Sequence, residues 1–363
     1  MFTIIRKLSW KRTHLICVLF ASVVILSGWS AFHDPVVNGL FKFVYPANFG
    51  NRINEAADNL TTNQGVYLGR LLFYEKKLSA NNQISCGSCH QQERAFTDGL
   101  ALSKGVDDVL TTRNSMSLVN LLWTRKFFWD GRAASLEDQA DFPLTNPHEM
   151  GQSLAVSADK IKNDSQYPSL FKMVYGDERI TGDRIKKAIS QFERTLISAG
   201  SLYDQYLADR YKPTEQQLRG IILFKNCEHC HGGVKNYKEV FHNNGLDLEY
   251  KDGGIQVITG LAADAGRFKV PTLRNIAVTG PYMHDGRFKT LGEVIDHYSD
   301  HIANSSALSS FIQGRSEINS DKMLRLTKIE KEDLMSFLNM LTDTAFLHTA
   351  AFSDPNLLSI KSK

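Results

Sequence analysis

Two short motifs constrain this chain more than any other feature of its sequence. Residues 85–92 read SCGSCHQQ and residues 227–233 read CEHCHGG, so that each motif has two cysteines two residues apart and then a histidine. This spacing lets both thiols bond to the vinyl groups of one haem while the histidine ligates its iron. We therefore expect two covalently attached c-type haems. The residues that would hold them are Cys86, Cys89 and His90 in the first motif and Cys227, Cys230 and His231 in the second.

Two other interpretations of a C-x-x-C pair fit the pattern less well. A structural zinc site needs four thiolate or imidazole ligands brought together. A thioredoxin-type thiol pair does not call for the same histidine twice. Of the five cysteines in the chain, only Cys17 lies outside the two motifs. The sequence therefore offers no pairs for a structural disulfide framework.

The N-terminus indicates export from the cytoplasm. A basic cluster precedes an uncharged stretch from Leu15 to Phe32, as in a secretory leader. We expect residues 1–33 to be either a signal peptide or an uncleaved membrane anchor, because the apolar stretch is long and ends without a good cleavage site. The rest of the chain would then lie in the periplasm, either soluble or anchored to the inner membrane.

The charge distribution argues against one class of partner. The formal net charge is +3, and the leader alone carries enough cations to account for it. These cations are Arg6, Lys7, Lys11 and Arg12. The remainder has no basic run and no basic–aromatic stripe, so we do not expect a nucleic-acid partner.

Hydrophobic periodicity predicts a mainly α-helical body with long loops. The clearest helix covers residues 183–196, where apolar side chains recur with a period near 3.6. Thr214, with Gln217 three residues later, forms a capping-box pattern for a second helix that runs into Cys227. A third helix is expected over residues 331–341, where four apolar side chains form one stripe.

An internal repeat divides this body into two halves. After each haem motif come an Arg-Asn pair and then a D-G-R-x-x-[ST]-L segment, and the shared order predicts a duplication. The repeated elements are Arg113-Asn114 and Arg274-Asn275, then WDGRAASL (129–136) and HDGRFKTL (284–291). We expect two cytochrome-c-like domains, at residues 46–205 and 206–347, each built around one haem.

The repeat also aligns the residues that would face the second side of each iron. Seven positions after the shared leucine stand Pro143 in the first half and Tyr298 in the second. Proline has no ligating side-chain atom, so the first haem would be open to peroxide, whereas tyrosine can bind ferric iron as phenolate. Tyr298 falls on the apolar face of a helix that starts at Thr290, and should point inward. A core aromatic is the alternative role, and His301 is the nearest rival ligand.

The order of the motifs resembles that of the bacterial dihaem cytochrome c peroxidases and their methylamine-utilisation (MauG-type) relatives. The resemblance covers about residues 60–345. The matching segments, besides the two haem motifs, are FWDGR (128–132), NPHEM (146–150), VPTLRN (270–275) and PYMHDG (281–286). The conventional peroxidases carry a methionine where this chain has Tyr298, which moves the chain toward the MauG-type branch.

The resemblance implies roles for three residues around the first haem. Glu149 would be the distal carboxylate that moves a proton between the two oxygens of peroxide. Gln139 would position peroxide or water. Trp129 would lie between the two haems and relay electrons.

The resemblance further implies a calcium ion between the domains and, as an assembly, a homodimer. Asn114, Thr279 and Pro281 match positions around that ion, the last two through their backbone carbonyls. Oxygen donors of this kind suit calcium.

Three functions follow from these expectations. The first is a dihaem peroxidase that reduces hydrogen peroxide to water with electrons from a small cytochrome c or cupredoxin. The second is a MauG-like enzyme that uses peroxide to oxidise a protein partner. The third is a non-enzymatic dihaem electron carrier, which requires two six-coordinate haems and leaves Glu149 and Gln139 without a role.

Overall fold

A computed structural model describes residues 39–313 and 324–356 of the 363-residue chain. From Leu40 onward the chain forms one compact unit. The predicted leader, residues 1–33, lies outside the described residues. Within the two described ranges no helix has both the length and the apolar character needed to cross a membrane.

The described chain is mainly helical, as the sequence predicted, and long irregular loops connect its elements. Its one sheet pairs β1 (Phe241–His242) with β2 (Phe268–Lys269) in antiparallel register, with Phe241 opposite Lys269. The α-helices are α1 (Asn63–Phe73), α2 (Cys86–Cys89), α3 (Leu136–Thr145), α4 (Leu154–Lys162), α5 (Tyr167–Tyr175), α6 (Gly182–Glu193), α7 (Leu202–Leu207), α8 (Glu215–Phe224), α9 (Glu228–His231), α10 (Gln256–Thr259), α11 (Leu291–Asp300), α12 (Lys328–Met340) and α13 (Thr344–His348).

Each half of the described chain is built on one pair of closely packed helices. In the first half α1 packs on α6, and in the second half α8 packs on α12. A glycine permits the close approach in both pairs. A Cβ on Gly69 would lie 1.9 Å from the carbonyl oxygen of Ala188, and one on Gly220 would lie 2.1 Å from that of Asp333. A larger residue at either glycine would therefore force the two helices apart.

Two hydrophobic clusters surround these helix pairs. One contains Leu72 and Phe192 of the first pair, and the other contains Phe224 and Phe337 of the second. Burying side chains of this size contributes roughly 1.5–3 kcal/mol each. The last helix, α13, returns to the first half, where its Phe346 packs into the first cluster. The domain boundaries drawn from the sequence stay a prediction.

Side-chain caps fix where the helices start. Thr214 and Gln217 form the predicted capping box in front of α8. Thr290 caps α11 in the same way, so that this helix starts where the sequence predicted. The helix expected over residues 331–341 is longer at its N-terminus, because Thr327 with Glu330 caps α12 three residues earlier.

Matching turns in the two halves show which asparagine of the first half corresponds to Asn275 in the predicted repeat. Phe128 and Met283 hold equivalent left-handed positions, with φ of 66° and 75°. Upstream of them, Asn120 and Asn275 have φ of 61° and 60° and each begins a short 3₁₀ turn. The structural counterpart of Asn275 is therefore Asn120. The prediction that Asn114 is its counterpart was wrong, because Asn114 has no left-handed backbone and does not begin a 3₁₀ turn. The duplication itself stays a prediction.

Candidate haem cavities

Two cavities open at the two C-x-x-C-H motifs. The first cavity, at residues 86–90, has a volume of about 1080 Å³. The second cavity, at residues 227–231, has a volume of about 260 Å³. All four motif cysteines are present as thiols. Within the part of the chain that the structure describes, no three His, Cys, Asp or Glu side chains are grouped to hold a metal ion.

The two motif histidines are oriented in the same manner. Nδ1 of His90 lies 2.7 Å from the carbonyl oxygen of Phe96, and Nδ1 of His231 lies 3.1 Å from that of Pro271. A proton on Nδ1 that is donated to a carbonyl leaves the Nε2 lone pair free to ligate a metal. Burial lowers the pKa of both imidazoles, that of His231 to about 4. Both rings are therefore neutral and available as iron ligands.

Three residues predicted to face the first iron line the first cavity together. Gln139 and Pro143 come from α3, and Glu149 follows in the turn after that helix. The Asn146 side chain donates to Oε1 of Glu149 at 2.8 Å. Burial raises the pKa of Glu149, and the bond from Asn146 and the charge of Arg132 oppose that rise. A half-buried carboxyl of this kind can hold and release a proton closer to neutral pH than an ordinary glutamate.

A neighbouring loop holds the turn that carries Glu149. The backbone N–H of Val106 donates to the carbonyl oxygen of Glu149 at 2.9 Å. Gly105 passes so close to this turn that a Cβ on it would lie 1.7 Å from the carbonyl oxygen of His148. The His148 ring points outward and pairs with Asp107 at 2.9 Å. The loop thus fixes the backbone on both sides of the Glu149 side chain.

Tyr298, on α11, lines the second cavity as the sequence predicted. Burial raises the pKa of its phenol to about 12, and a hydrogen bond donated by the Asn244 amide at 3.1 Å opposes that rise. The rival His301 is exposed at the end of α11. His297 is turned away and lies 3.0 Å from the backbone carbonyl of Asn244. Of these three side chains, Tyr298 is thus the one that lines the second cavity together with His231.

A wall of side chains separates the two cavities, and Trp129 is part of it. Trp129, Asn114, Lys269 and His284 line both cavities. The indole N–H of Trp129 donates to the carbonyl oxygen of Asn114 at 2.9 Å. The backbone N–H of Asn114 in turn donates to the carbonyl oxygen of His284 at 2.8 Å. Trp129 is therefore held in the wall between the two cavities.

The three predicted calcium partners approach the same region. Asn114, Thr279 and Pro281 all line the second cavity. The Asn114 side-chain N–H group donates to the carbonyl oxygen of Leu100 at 2.8 Å, which fixes the orientation of the amide. The calcium site stays a prediction.

Two buried charged residues of these cavities were not singled out by the sequence. Glu193, at the end of α6, is 5% exposed and lines the first cavity, and burial raises its pKa to about 8. Lys269 is 5% exposed in the wall, and burial lowers its pKa to about 8. The sequence did hold a signal for Glu193, because it follows Ile189 by one helical turn on the apolar face. Lys269 lies in the two-residue strand β2, which is too short to give such a signal.

Unpaired polar atoms indicate what the cavities are suited to hold. Oη of Tyr250 and Oε2 of Glu193 in the first cavity, and Nε2 of His242 in the second, are buried without a hydrogen-bond partner among the described residues. Each such atom costs about 1–3 kcal/mol unless a ligand satisfies it. A ligand with a large apolar surface and a few polar groups fits this lining. Haem has that character, and each motif adds the two thiols and the imidazole that c-type attachment needs.

A mainly helical chain with two C-x-x-C-H cavities and a shared wall defines the class of dihaem c-type proteins. The chain belongs to the di-haem cytochrome c peroxidase family, whose family model matches residues 63–212. Membership confirms the resemblance predicted from the motifs. It makes the chain an oxidoreductase that uses peroxide and contains two haems.

Relatives carry both names that this family uses. The methylamine utilisation protein MauG of Methylophilus methylotrophus is 30% identical over 334 residues, which cover 90% of this chain and 95% of that protein. The cytochrome c551 peroxidase of Nitrosomonas europaea is 34% identical over 282 residues, which cover 76% of this chain and 79% of that protein.

A solved structure matches nearly the whole described fold. The crystal structure of a MauG-like protein associated with microbial copper homeostasis aligns with a TM-score of 0.80 at 36% identity. The match covers 87% of this chain and 99% of that one. It confirms the mainly helical fold class expected from the sequence.

Proposed function

We propose that this protein reduces hydrogen peroxide to water in the first cavity, with electrons that arrive through the second. One observation carries the proposal: Glu149 and Gln139 line the same cavity as His90, and Pro143 lies there without a ligating atom. An open iron site with a carboxyl and an amide beside it is suited to bind and split peroxide. An electron carrier has no use for this arrangement.

The residues around the first cavity can manage the protons of this reaction. Reduction of one peroxide molecule consumes two electrons and two protons and yields two water molecules. Glu149 can take a proton from the nearer peroxide oxygen and deliver it to the farther one, which then leaves as water. Burial raises its pKa above that of an ordinary glutamate, which favours uptake of the proton. Gln139 offers an N–H donor and a carbonyl acceptor with which to orient peroxide.

The motif residues would attach both haems and set their different tasks. Cys86 and Cys89 would bond to the first haem, and Cys227 and Cys230 to the second. When bound, each haem supplies the iron redox centre that no side chain of the chain can replace. His90 and His231 would be the proximal ligands, and Tyr298 would close the second iron. Trp129 would pass electrons across the wall between the cavities.

The remaining assignments concern the compartment, the electron donor, a calcium ion and the assembly of the protein. We assign it to the periplasm on the basis of its leader, with a small cytochrome c or cupredoxin as electron donor. A calcium ion held by Asn114, Thr279 and Pro281 would stiffen the region beside the second cavity, and a homodimer would be the assembly.

The experiment that tests this function is a peroxide titration of the haem-loaded protein, followed optically with and without a reduced small cytochrome. Rapid oxidation of the cytochrome, at two equivalents for each peroxide, is the expected result. A resting ferric spectrum without any high-spin haem would contradict it, because the first iron would then be closed and only the electron-carrier function would remain.

A second function is favoured by the residue at position 298. A tyrosine in the second cavity is the feature that moved the chain toward the MauG-type branch, and the relative named MauG matches 90% of this chain. In this variant of the proposal a protein partner supplies the two electrons and is itself oxidised. A long-lived oxidised state that turns over slowly with the small cytochrome would support it over the peroxidase.

A further inference from the structure

The Asn244 side chain lies between two candidate ligands of the second iron. Its amide nitrogen is 3.1 Å from the Tyr298 hydroxyl oxygen and 3.5 Å from the sulfur of Met283. All three side chains line the second cavity. An amide nitrogen carries two N–H groups, so that it can donate to both neighbours at once.

We propose that Asn244 is a positioning residue that selects Tyr298 over Met283 as the sixth ligand of the second haem and leaves Met283 in reserve. The proposal rests on the proposed function, in which Tyr298 closes the second iron. It adds a residue that decides between the two ligands, and a ligand that takes over when tyrosine is removed.

The two hydrogen bonds differ in strength, and this difference sets the preference. A phenolate oxygen is charged, and hydrogen bonds to charged acceptors are roughly twice as strong as neutral ones. The thioether sulfur is a neutral and weak acceptor. The amide therefore stabilises Tyr298 as an iron-bound phenolate more than it stabilises Met283. The same amide occupies a lone pair of the sulfur, which makes Met283 a poorer ligand while Asn244 is present.

The fold holds this amide in a fixed place relative to Tyr298. The His297 ring, one residue before Tyr298 on α11, donates from Nε2 to the backbone carbonyl of Asn244 at 3.0 Å. The next residue, Gly245, has φ of 71°, and a Cβ on it would lie 2.6 Å from the Ile302 side chain. Helix α11 thus supplies Tyr298 and also anchors the loop whose amide contacts it.

Met283 is held at the cavity by its own turn. It adopts φ of 75°, a left-handed conformation that is uncommon for a residue other than glycine and that marks functional sites. Its neighbour Tyr282 bridges to Phe288 and closes the turn. The equivalent position of the first half is Phe128, which lines the first cavity and has no ligating atom. A sulfur at this turn is therefore particular to the second cavity.

The test uses the haem-loaded full chain and observes the second haem directly. The variants are Tyr298→Phe, Asn244→Leu, Asn244→Asp and the double variant Tyr298→Phe with Met283→Leu. Electron paramagnetic resonance and near-infrared magnetic circular dichroism identify the axial ligands, and potentiometry gives the midpoint potential of the second haem. The high-spin signal of the first haem reports in every sample whether the protein is folded. Asn339→Leu, at an exposed site on α12, is the matched control.

We expect Tyr298→Phe to give a low-spin second haem with thioether ligation and a raised midpoint potential, because methionine raises the potential of a haem. The double variant should make the second haem high-spin. Both Asn244 variants should add a thioether-ligated fraction, and Asn244→Leu should also raise the potential. Leucine adds this fraction because it removes the donor, and aspartate adds it because its charge repels a phenolate. Asn339→Leu should match the wild type.

Different results would contradict the role of Asn244 and the proposed function on which it rests. An unchanged second haem in Tyr298→Phe would show that Tyr298 is not a ligand, and the proposed closure of the second iron would be wrong. If Tyr298→Phe changes the second haem but both Asn244 variants keep the wild-type spectrum and potential, the selection by Asn244 is refuted. If Tyr298→Phe alone becomes high-spin, Met283 is not a reserve ligand.

Discussion

The backbone N–H of Lys269 donates to the backbone carbonyl oxygen of Trp129 at 2.7 Å. This bond joins strand β2 of the second half to the D-G-R turn of the first half. At its other end the Trp129 indole donates to the carbonyl oxygen of Asn114 at 2.9 Å. Both the backbone and the indole ring of Trp129 are hydrogen-bonded, so the ring has one fixed orientation in the wall between the cavities.

A Trp129→Phe variant should slow the exchange of electrons between the two cavities. Phenylalanine keeps an aromatic ring in the wall but lacks the readily oxidised indole and its N–H group. Stopped-flow spectra after peroxide addition should show delayed oxidation of the second haem, while the resting spectra of both haems stay as in the wild type. Leaving the Asn114 carbonyl unpaired should also cost about 1–3 kcal/mol of stability.

Trp123→Phe provides the matched control for that stability loss. Trp123 is buried, its indole donates to the carbonyl oxygen of Gly50 at 3.0 Å, and it packs in a separate cluster with Phe49. Both variants should lose similar stability, and only Trp129→Phe should slow the second haem. Equal electron-transfer rates in the two variants would rule out Trp129 as the relay.

The sequence predicted most of what depends on local pattern. The capping box at Thr214 and the helix start at Thr290 appear where the sequence predicted them. Residues far apart in the chain, such as His90 and Glu149, line one cavity, and the roles assigned to them stay predictions. The cap predictions succeeded because a helix cap encodes its geometry within a few residues.

Predictions that depended on long-range packing failed or were not made. Asn114 was aligned with Asn275 through a two-letter match, whereas the left-handed backbone at Asn120 identifies the true counterpart. Asn244 was missed because a single asparagine in an irregular loop has no periodicity, and its role comes from His297 holding it across the cavity. A sequence pattern does not show which loop reaches a given site.

Replacing Glu149 by glutamine should slow the reaction with peroxide by about 10²–10⁴-fold, because the amide cannot carry the proton between the oxygens. The pH dependence of the rate should also change. Burial raises the pKa of Glu149 above the ordinary 4.5, so the wild-type rate should fall with decreasing pH already above that value. In the variant, the rate should not show this fall with decreasing pH.

The control for the Glu149 variant is Glu178→Gln, at a surface glutamate paired with Lys172. It should react with peroxide at the wild-type rate over the whole pH range. If Glu149→Gln reacts with peroxide at the wild-type rate and still slows as the pH falls, Glu149 does not transfer the proton.

Glu193 should make the folded protein less stable as the pH rises from about 4.5 to about 8. Its pKa is about 8 in the folded protein and near the ordinary 4.5 when unfolded, so the folded state binds more protons between these values. Stability then falls with rising pH by at most about 1.4 kcal/mol per pH unit. Glu193→Gln removes this dependence.

Urea unfolding of the wild type and Glu193→Gln at pH 5 and pH 8 measures the effect. The two proteins should differ little at pH 5, and the variant should be the more stable one at pH 8. If the difference between them is the same at both pH values, Glu193 is ionised in the folded protein and the cavity holds a charged carboxylate.

A Gly105→Ala variant should disturb Glu149 from outside the cavity. The added Cβ would lie 1.7 Å from the carbonyl oxygen of His148 and 3.1 Å from Cα of Glu149, so the turn must move. Overpacking of this kind typically costs about 1–3 kcal/mol. The displaced carboxyl should also slow the peroxide reaction, although less than Glu149→Gln does. Stopped-flow kinetics and urea unfolding measure the two effects.

Gly292→Ala is the control for Gly105→Ala, because the nearest atom to its Cβ, on Thr290, lies 3.7 Å away. Alanine favours a helix over glycine by up to about 1 kcal/mol, so this protein should be as stable as the wild type or slightly more stable. Its first haem should react with peroxide at the wild-type rate. If Gly105→Ala loses stability but reacts as fast as Gly292→Ala, the loop around Val106 supports the fold without positioning Glu149.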